Sequence, residues 1–193
     1  MKRYKWLAGV ILGTILLAIL GYLFIIFGGR FVIDEKELIL PVSSKVVLED
    51  GTVIGKVYTE NRDYVTLSQI PDHVENAFVT LEDKRFYDHA GVSFISVARA
   101  VYRDIISLSK EEGASTITQQ LAKNLFLTND KSWMRKTKEV MASIYLERNY
   151  SKDQILELYL NEIYFGHGVY GVGTAADYFF GKQVDELTVE EGA

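Results

Sequence analysis

The chain of 193 residues is long enough for one domain with a hydrophobic core, and its 48% hydrophobic content argues against disorder. Its formal net charge of −5 argues against a general nucleic-acid-binding surface, which needs a basic excess, so we expect no nucleic-acid partner. The sequence has no cysteine, which excludes a disulfide framework, a thiolate nucleophile and a thiolate metal site.

The first predicted element is an apolar helix at the N-terminus. Residues 6–27 contain no charged side chain, and at about 1.5 Å per residue they are long enough to cross a hydrocarbon core of roughly 30 Å. The alternative is a cleaved signal peptide, but the apolar run is longer than is usual there, and no A-x-A-like site follows. We therefore predict an uncleaved, single-pass anchor in the cell membrane. Lys2, Arg3 and Lys5 predict a cytoplasmic tail over residues 1–5 and an extracytoplasmic location for the rest.

A β-hairpin is predicted next. Two stretches of alternating apolar residues, 44–48 and 52–58, flank the dipeptide Asp50-Gly51, which favours a tight turn between strands. Beyond Pro71 the apolar residues recur at helical spacing, so the body of the chain is predicted to be mostly helical.

The first helix of this body is predicted to begin at Pro71 and to carry Glu82 at its C-terminal end. Its apolar stripe consists of Val74, Ala77, Phe78 and Leu81. If the helix continued past Glu82, then Phe86 and His89 would lie on the same face, and partial desolvation would make Glu82 a usable general base. The alternative is a solvated helix end with an acidic pair, Glu82 and Asp83.

Three further helices follow from periodicity and capping signals. The helix over residues 93–109 is apolar around much of its circumference, which indicates burial on two sides or contact with lipid. Ser151 and Gln154 form a capping box that opens another helix. A last box at Thr188 and Glu191 opens a helix whose first turn is barely complete at the end of the sequence. We therefore expect this chain to be a fragment of a longer protein.

Two polar segments carry groups that could perform chemistry. Residues 113–124 are rich in hydroxyls and amides, which donate hydrogen bonds to anions or sugar oxygens; a capped helix start at Ser115 or Thr116 is the compatible alternative. Residues 131–139 contain four cations and end in a glutamate. The pair Arg135 and Glu139 is either an ordinary surface ion pair or part of a cationic cradle for a phosphate leaving group.

Five motifs follow one another along the chain: EDKRFYDHAG, GASTITQQLAKN, RKTKE, KDQILELYLNEIYFG and GVGTAADYFFGK. In this order and spacing, they resemble the peptidoglycan glycosyltransferase family. That family comprises the transglycosylase module of class A penicillin-binding proteins and its monofunctional relatives. The resemblance covers residues 43–193, which follow a juxtamembrane connector over residues 28–42. Phe179 departs from the tyrosine usual in the last motif, and the C-terminal helices of the domain are missing.

The resemblance implies a mainly α fold. It is a lysozyme-like, two-lobed transglycosylase domain with a short N-terminal β-hairpin, preceded by one transmembrane helix. A membrane-associated jaw is expected over residues 91–112. The implied activity is polymerisation of lipid II into glycan strands by inverting glycosyl transfer, with release of undecaprenyl pyrophosphate. The expected partners are lipid II, the lipid-linked glycan strand, the membrane and other proteins of cell-wall synthesis.

The resemblance also implies roles for individual residues. Glu82 would be the general base, and Glu139 a second catalytic glutamate that orients cations or helps to hold a divalent ion, Mg²⁺ or Mn²⁺. The implied substrate-binding residues are Ser115, Thr116, Gln120, Lys123, Asn124, Arg135 and Lys136. Asp83, Phe86 and His89 would support the first motif.

Two other functions remain open from the sequence. A lysozyme-like peptidoglycan hydrolase would also use two carboxylates, but it has no need for the cations at Lys123, Arg135 and Lys136. A non-catalytic, membrane-anchored cell-wall scaffold would tolerate the loss of Glu82 or Glu139, and both are present.

Overall fold

Helices form most of this chain, whose computed structural model describes residues 2–96, 98–99, 115–128 and 132–192. The helices with described bounds are α1 (Lys2–Phe27), α2 (Asp72–Glu82), α3 (Ile117–Phe126), α4 (Trp133–Asn149), α5 (Lys152–Glu162), α6 (Val172–Phe180) and α7 (Val189–Gly192). Short 3₁₀ turns lie at Gly28–Phe31, Glu35–Leu38, Leu67–Gln69, Phe86–Asp88 and Val184–Glu186. The predicted mainly α fold with one hairpin and an N-terminal apolar helix is confirmed.

The N-terminal helix leads directly into the body of the protein. Among the described residues, one span of 23 residues, Gly9–Phe31, is long and apolar enough to cross a membrane. Its last residues pack against α4. A Cβ atom at Gly29 would overlap the carbonyl oxygen of Met141 and lie 2.6 Å from Cβ of Tyr145, so only glycine allows this approach.

The hairpin joins strands β1 (Ser44–Val47) and β2 (Val53–Val57), which are antiparallel. Asp50 accepts a hydrogen bond from the Thr52 amide at 2.9 Å, and Gly51 has φ +85°, a conformation that glycine adopts without strain. The Asp-Gly signal therefore predicted the turn correctly.

α5 is the centre of the hydrophobic core. Four of its side chains are at most 1% exposed: Ile155, Leu156, Tyr159 and Leu160. They occupy positions i, i+1, i+4 and i+5, which share one face of the helix, and both α3 and α4 contact α5. The predicted capping box begins this helix, because Ser151 Oγ accepts from the Gln154 amide at 3.2 Å and Gln154 Oε1 accepts from the Ser151 amide at 2.9 Å.

A buried arginine joins the connector to the end of α5. Arg62 is 0% exposed and donates to the carbonyl oxygens of Asn161 at 2.8 Å and Pro41 at 3.0 Å. Its guanidinium also pairs with Glu162 at 2.6 Å and with Glu60 at 2.9 Å. Burial raises the pKa of Glu162 to about 7, although the Arg62 charge acts in the opposite direction.

The expectations for α2 need correction. Pro71 is the N-cap residue, and Leu81, predicted to lie on the apolar face, is 79% exposed. The hypothesis that the helix continues past Glu82 is wrong. Asp83 leaves the helical conformation at φ −155°, since its carboxylate bonds to groups from elsewhere in the chain.

The helix predicted over residues 93–109 lies mostly outside the described residues. Residues 94–96 and 98–99 are helical, and Phe94 is 80% exposed. The jaw expected over residues 91–112 falls largely in the same part of the chain and stays a prediction.

Candidate active site

Glu82 lies at the C-terminal end of α2, where a neighbouring helix holds its carboxylate. Oε2 of Glu82 accepts a hydrogen bond from Nε2 of Gln120 on α3 at 2.8 Å. The hydroxyl of Tyr159 donates to Oε1 of the same glutamine at 3.4 Å. Burial, and next the charge of Glu82, raise the pKa of Tyr159, so this hydroxyl remains a donor at neutral pH. The Gln120 amide is thus oriented with its NH₂ group toward Glu82.

The residues after Glu82 anchor the first motif to the start of α3. Oδ2 of Asp83, a buried carboxylate, accepts from the Ile117 amide at 3.2 Å and from Nε2 of His89 at 2.7 Å. Nδ1 of His89 accepts a hydrogen bond from the Gly91 amide at 3.2 Å. Nε2 therefore carries the ring proton and donates the hydrogen bond to Asp83. His89 therefore bonds to Asp83, and not to Glu82 as a longer helix would have required.

Phe86 and Gly91 support this arrangement by packing. Phe86 is 0% exposed, and the ammonium of Lys152 lies 4.4 Å from its ring centroid. Gly91 has φ +90°, and a Cβ atom there would lie 3.0 Å from the carbonyl group of Ser143. Phe86 and Gly91 are thus both packed against neighbouring residues, and the supporting role implied for Phe86 stays a prediction.

Thr116 is the N-cap of α3. Its Oγ1 accepts from the Gln119 amide at 3.1 Å and donates to the Gly91 carbonyl at 2.6 Å. The side chain is 1% exposed, so the structure gives it a capping contact rather than a free hydroxyl. Of the two capping positions considered from the sequence, Thr116 is the one used.

Glu139 is a buried carboxylate between two cations on α4. Its Oε2 accepts from Arg135 at 2.8 Å, and its Oε1 accepts from the ammonium of Lys136, which also donates to Oγ of Ser115 at 3.1 Å. The Glu139 side chain is 3% exposed, whereas those of Arg135 and Lys136 are 20% and 40% exposed. Two cations on one buried carboxylate leave a net positive charge that faces partly to solvent.

Lys123 and Asn124 lie one turn beyond Gln120 on α3 and are exposed. The spacings i+3 and i+4 place them on the same helix face as Gln120. Neither side chain forms a hydrogen bond or ion pair with another described residue. Both are therefore free to contact a ligand beside Glu82.

α3 connects the surroundings of the two glutamates. Gln120 contacts Glu82, and Ser115, directly before the helix, contacts Lys136 of the Glu139 group. This one segment thus contacts both the Glu82 carboxylate and the cation pair on Glu139. Tyr159 is a residue that the sequence analysis did not assign to the site; a buried tyrosine needs a partner for its hydroxyl, and that signal could have identified it.

The residues around Glu139 do not fit a resident divalent ion. Both carboxylate oxygens already accept from cations, and residues 2–96, 98–99, 115–128 and 132–192 contain no group of three or more histidine, cysteine, aspartate or glutamate side chains that could hold a metal. The expected Mg²⁺ or Mn²⁺ stays a prediction, and no step below depends on it.

These features define a helical domain, fused to an apolar helix of membrane-spanning length, whose candidate site combines a hydrogen-bonded carboxylate with a partly exposed pair of cations. A family model described as Transglycosylase matches residues 50–193. The chain therefore belongs to the transglycosylase family, and the resemblance inferred from the five motifs is confirmed.

Similar proteins carry penicillin-binding names. Penicillin-binding protein 1F of Bacillus subtilis (strain 168) is 59% identical over 180 residues, which cover 93% of this chain and 25% of that protein. Penicillin-binding protein 1A/1B of the same organism is 46% identical over 162 residues, with coverage of 83% and 18%. Penicillin-binding protein 1A of Escherichia coli (strain K12) is 46% identical over 158 residues, with coverage of 82% and 19%. The chain thus spans a quarter or less of the length of these relatives.

Proposed function

We propose that this domain is a peptidoglycan glycosyltransferase that polymerises lipid II into glycan strands. Membership of the transglycosylase family supports this activity. The observation that carries the proposal is the link through α3, with Gln120 on Glu82 and Ser115 on the cation pair of Glu139. A base and a phosphate-binding surface are the two components that transfer from a lipid pyrophosphate requires.

Glu82 is the general base in this mechanism. The 4-hydroxyl oxygen of the acceptor attacks the anomeric carbon of the donor, the bond from that carbon to the pyrophosphate oxygen breaks, and the configuration inverts. Glu82 takes the hydroxyl proton. Oε2 of Glu82 already accepts a hydrogen bond from Gln120, which fixes the carboxylate. Oε1 therefore remains to take the proton.

Arg135, Lys136 and Lys123 stabilise the departing undecaprenyl pyrophosphate. Negative charge grows on the leaving oxygens as the bond breaks, so cations that meet that charge lower the barrier. Glu139 holds Arg135 and Lys136 in place, and its two paired oxygens make it a positioning residue rather than a second base. Asn124 and Ser115 are proposed to bind the sugar or phosphate oxygens beside this surface.

The membrane helix gives the domain access to its substrate. We propose a cytoplasmic N-terminus and a catalytic domain on the outer face, where lipid II and the lipid-linked glycan strand are both embedded in the same leaflet. Tethering a domain to the surface that displays its substrate raises the effective concentration. A hydrolase of neutral glycosides would leave the partly exposed cations without a role, which disfavours that alternative.

Replacement of Glu82 by glutamine tests the proposal. The amide keeps the shape but cannot accept the proton, so glycan polymerisation from lipid II should fall by about a hundredfold to ten-thousandfold. The assay requires a chain extended through the whole domain. Glu75→Gln, on the same helix, is the matched control and should keep normal activity. A normal rate for Glu82→Gln would remove Glu82 from the role of base, and release of soluble sugar without polymer would favour the hydrolase.

A further inference from the structure

A basic cleft lies at the junction between α1 and α4, away from the glutamates. It has a volume of about 240 Å³ and is lined by Ile26, Phe27, Arg30, Tyr145, Arg148 and Asn149. Arg148 is nine residues beyond Glu139 on the same helix, which is roughly 14 Å along the helix axis at 1.5 Å per residue. The cleft is therefore distinct from the candidate active site.

The position of the cleft places it at the level of lipid headgroups. Arg30 belongs to the last residues of the apolar span Gly9–Phe31, so the cleft lies where the chain leaves the hydrocarbon layer. Ile26 and Phe27 also line the cleft, and Phe27 is 54% exposed. A ligand here would meet both guanidinium groups and apolar carbons.

The two arginines have no carboxylate partner among the described residues. The guanidinium of Arg148 lies 4.9 Å from the ring centroid of Phe27 and donates one hydrogen bond, at 3.3 Å, to the Ile26 carbonyl. Its other N–H groups remain available. The guanidinium of Arg30 lies 5.4 Å from the ring centroid of Phe31 and forms no hydrogen bond with a described residue. Guanidinium groups bind phosphate through paired N–H donors.

Other charges near the cleft do not cancel this excess. The carboxylate of Glu35 accepts from the hydroxyl of Tyr145 at 2.7 Å, and the Asn149 amide donates to the Tyr145 carbonyl at 2.7 Å. The carbonyl ends of α1 and α4 disfavour an anion, and the Arg148 bond to Ile26 offsets part of that effect. Two arginines against one glutamate leave a net positive charge.

We propose that this cleft binds the phosphate headgroup of an anionic phospholipid in the leaflet on the side of the catalytic domain. The guanidiniums of Arg30 and Arg148 bind the phosphate, and Ile26 and Phe27 contact the glycerol and the first acyl carbons. A net positive cleft prefers phosphatidylglycerol, which carries net negative charge, over phosphatidylcholine, whose ammonium neutralises the phosphate. This site is independent of glycosyl transfer.

Lipid binding to the full chain in neutral-detergent micelles tests the proposal. Native mass spectrometry would follow titrations with phosphatidylglycerol and with phosphatidylcholine of the same acyl chains. Each basic residue near a membrane surface contributes about a fivefold gain in affinity for anionic lipid. We therefore expect Arg30→Gln and Arg148→Gln each to weaken phosphatidylglycerol binding about fivefold and phosphatidylcholine binding by less, because the choline ammonium already neutralises the phosphate. Lys45→Gln, which removes an exposed cation on the hairpin, is the matched control and should have no effect.

Arg30→Gln is the decisive variant, because it removes no hydrogen bond or ion pair between described residues. Equal affinity of the wild type for the two lipids would overturn the proposal, as would an unchanged lipid preference in Arg30→Gln. Competition with glycerol 3-phosphate distinguishes a lipid from a free phosphate. Displacement of the lipid by glycerol 3-phosphate at similar concentrations would show that the acyl contacts contribute nothing, and would overturn the membrane part of the proposal.

Discussion

Gln120 is expected to govern the rate because it fixes the proposed base. Its Nε2 donates to Oε2 of Glu82 at 2.8 Å, which is the length of a well-formed bond to a charged group. Hydrogen bonds to charged groups contribute about 1.5–3 kcal/mol. Since about 1.4 kcal/mol corresponds to a factor of ten, Gln120→Ala should lower kcat by roughly tenfold to 150-fold. The side chain is only partly buried, so the fold should survive its truncation.

The measurement is lipid II polymerisation with kcat and KM determined separately. A residue that positions the base should affect kcat more than KM. Tyr159→Phe is the matched control, because its hydroxyl reaches Gln120 only at 3.4 Å, and the loss should be less than about threefold. A kcat for Gln120→Ala within about threefold of normal would refute the reasoning. A rise in KM alone would instead make Gln120 a substrate contact, as the family resemblance implies.

Three further outcomes follow from the site and the core. Arg135→Ala should slow turnover by about tenfold to a thousandfold, and Arg135→Lys should recover only part of the rate, because lysine cannot provide paired N–H donors. Asp83→Ala should lower the free energy of unfolding by about 2 kcal/mol or more, measured by thermal unfolding in detergent, since a buried amide and His89 lose their acceptor. Burial raises the pKa of Glu162 from 4.5 to about 7, so the folded state binds its proton more readily than the unfolded state. The stability from this group is present below pH 4.5 and lost as the pH rises through 7, so the wild type should become less stable relative to Glu162→Gln between pH 5 and pH 8.

A specific result would contradict each of these three predictions. Full recovery of activity by Arg135→Lys would indicate that charge alone is needed. An unfolding temperature for Asp83→Ala equal to that of the wild type would mean that its two hydrogen bonds are not structural. A constant stability difference between the wild type and Glu162→Gln across this pH range would mean that the Arg62 ion pair outweighs burial.

The parts of this structure that the sequence predicts are those fixed within a few residues. The capping box at Ser151 needs only a residue three positions later, and Thr116 is one of the two capping positions that the sequence leaves open. The Asp-Gly turn is equally local, and so is the pairing of Arg135 with Glu139, which are four residues apart on one helix. In each case helix or turn geometry determines which residue is the hydrogen-bond or ion-pair partner, so the local sequence pattern is enough to predict the contact.

The parts that periodicity and spacing do not predict depend on residues far apart in the chain. Glu82 and Gln120 are 38 residues apart, and Asp83 and Ile117 are 34 apart. The end of α2 follows from the second contact, because the Asp83 carboxylate must turn toward α3. Helical spacing alone would place His89 on the face of Glu82 if α2 continued, whereas in the structure His89 hydrogen-bonds to Asp83.

The close contact between Gly29, at the end of the membrane helix, and α4 has a mechanical consequence. Because the backbone at Gly29 lies directly on α4, the described chain has no flexible linker at this point between the apolar span and the helix that bears Glu139. A bilayer thinner or thicker than the span changes the tilt of such a helix. That tilt would pass as a rigid rotation to α4, so the angle at which the candidate site faces the lipid surface would depend on bilayer thickness. Orientation measurements in bilayers of different acyl length would register this rotation.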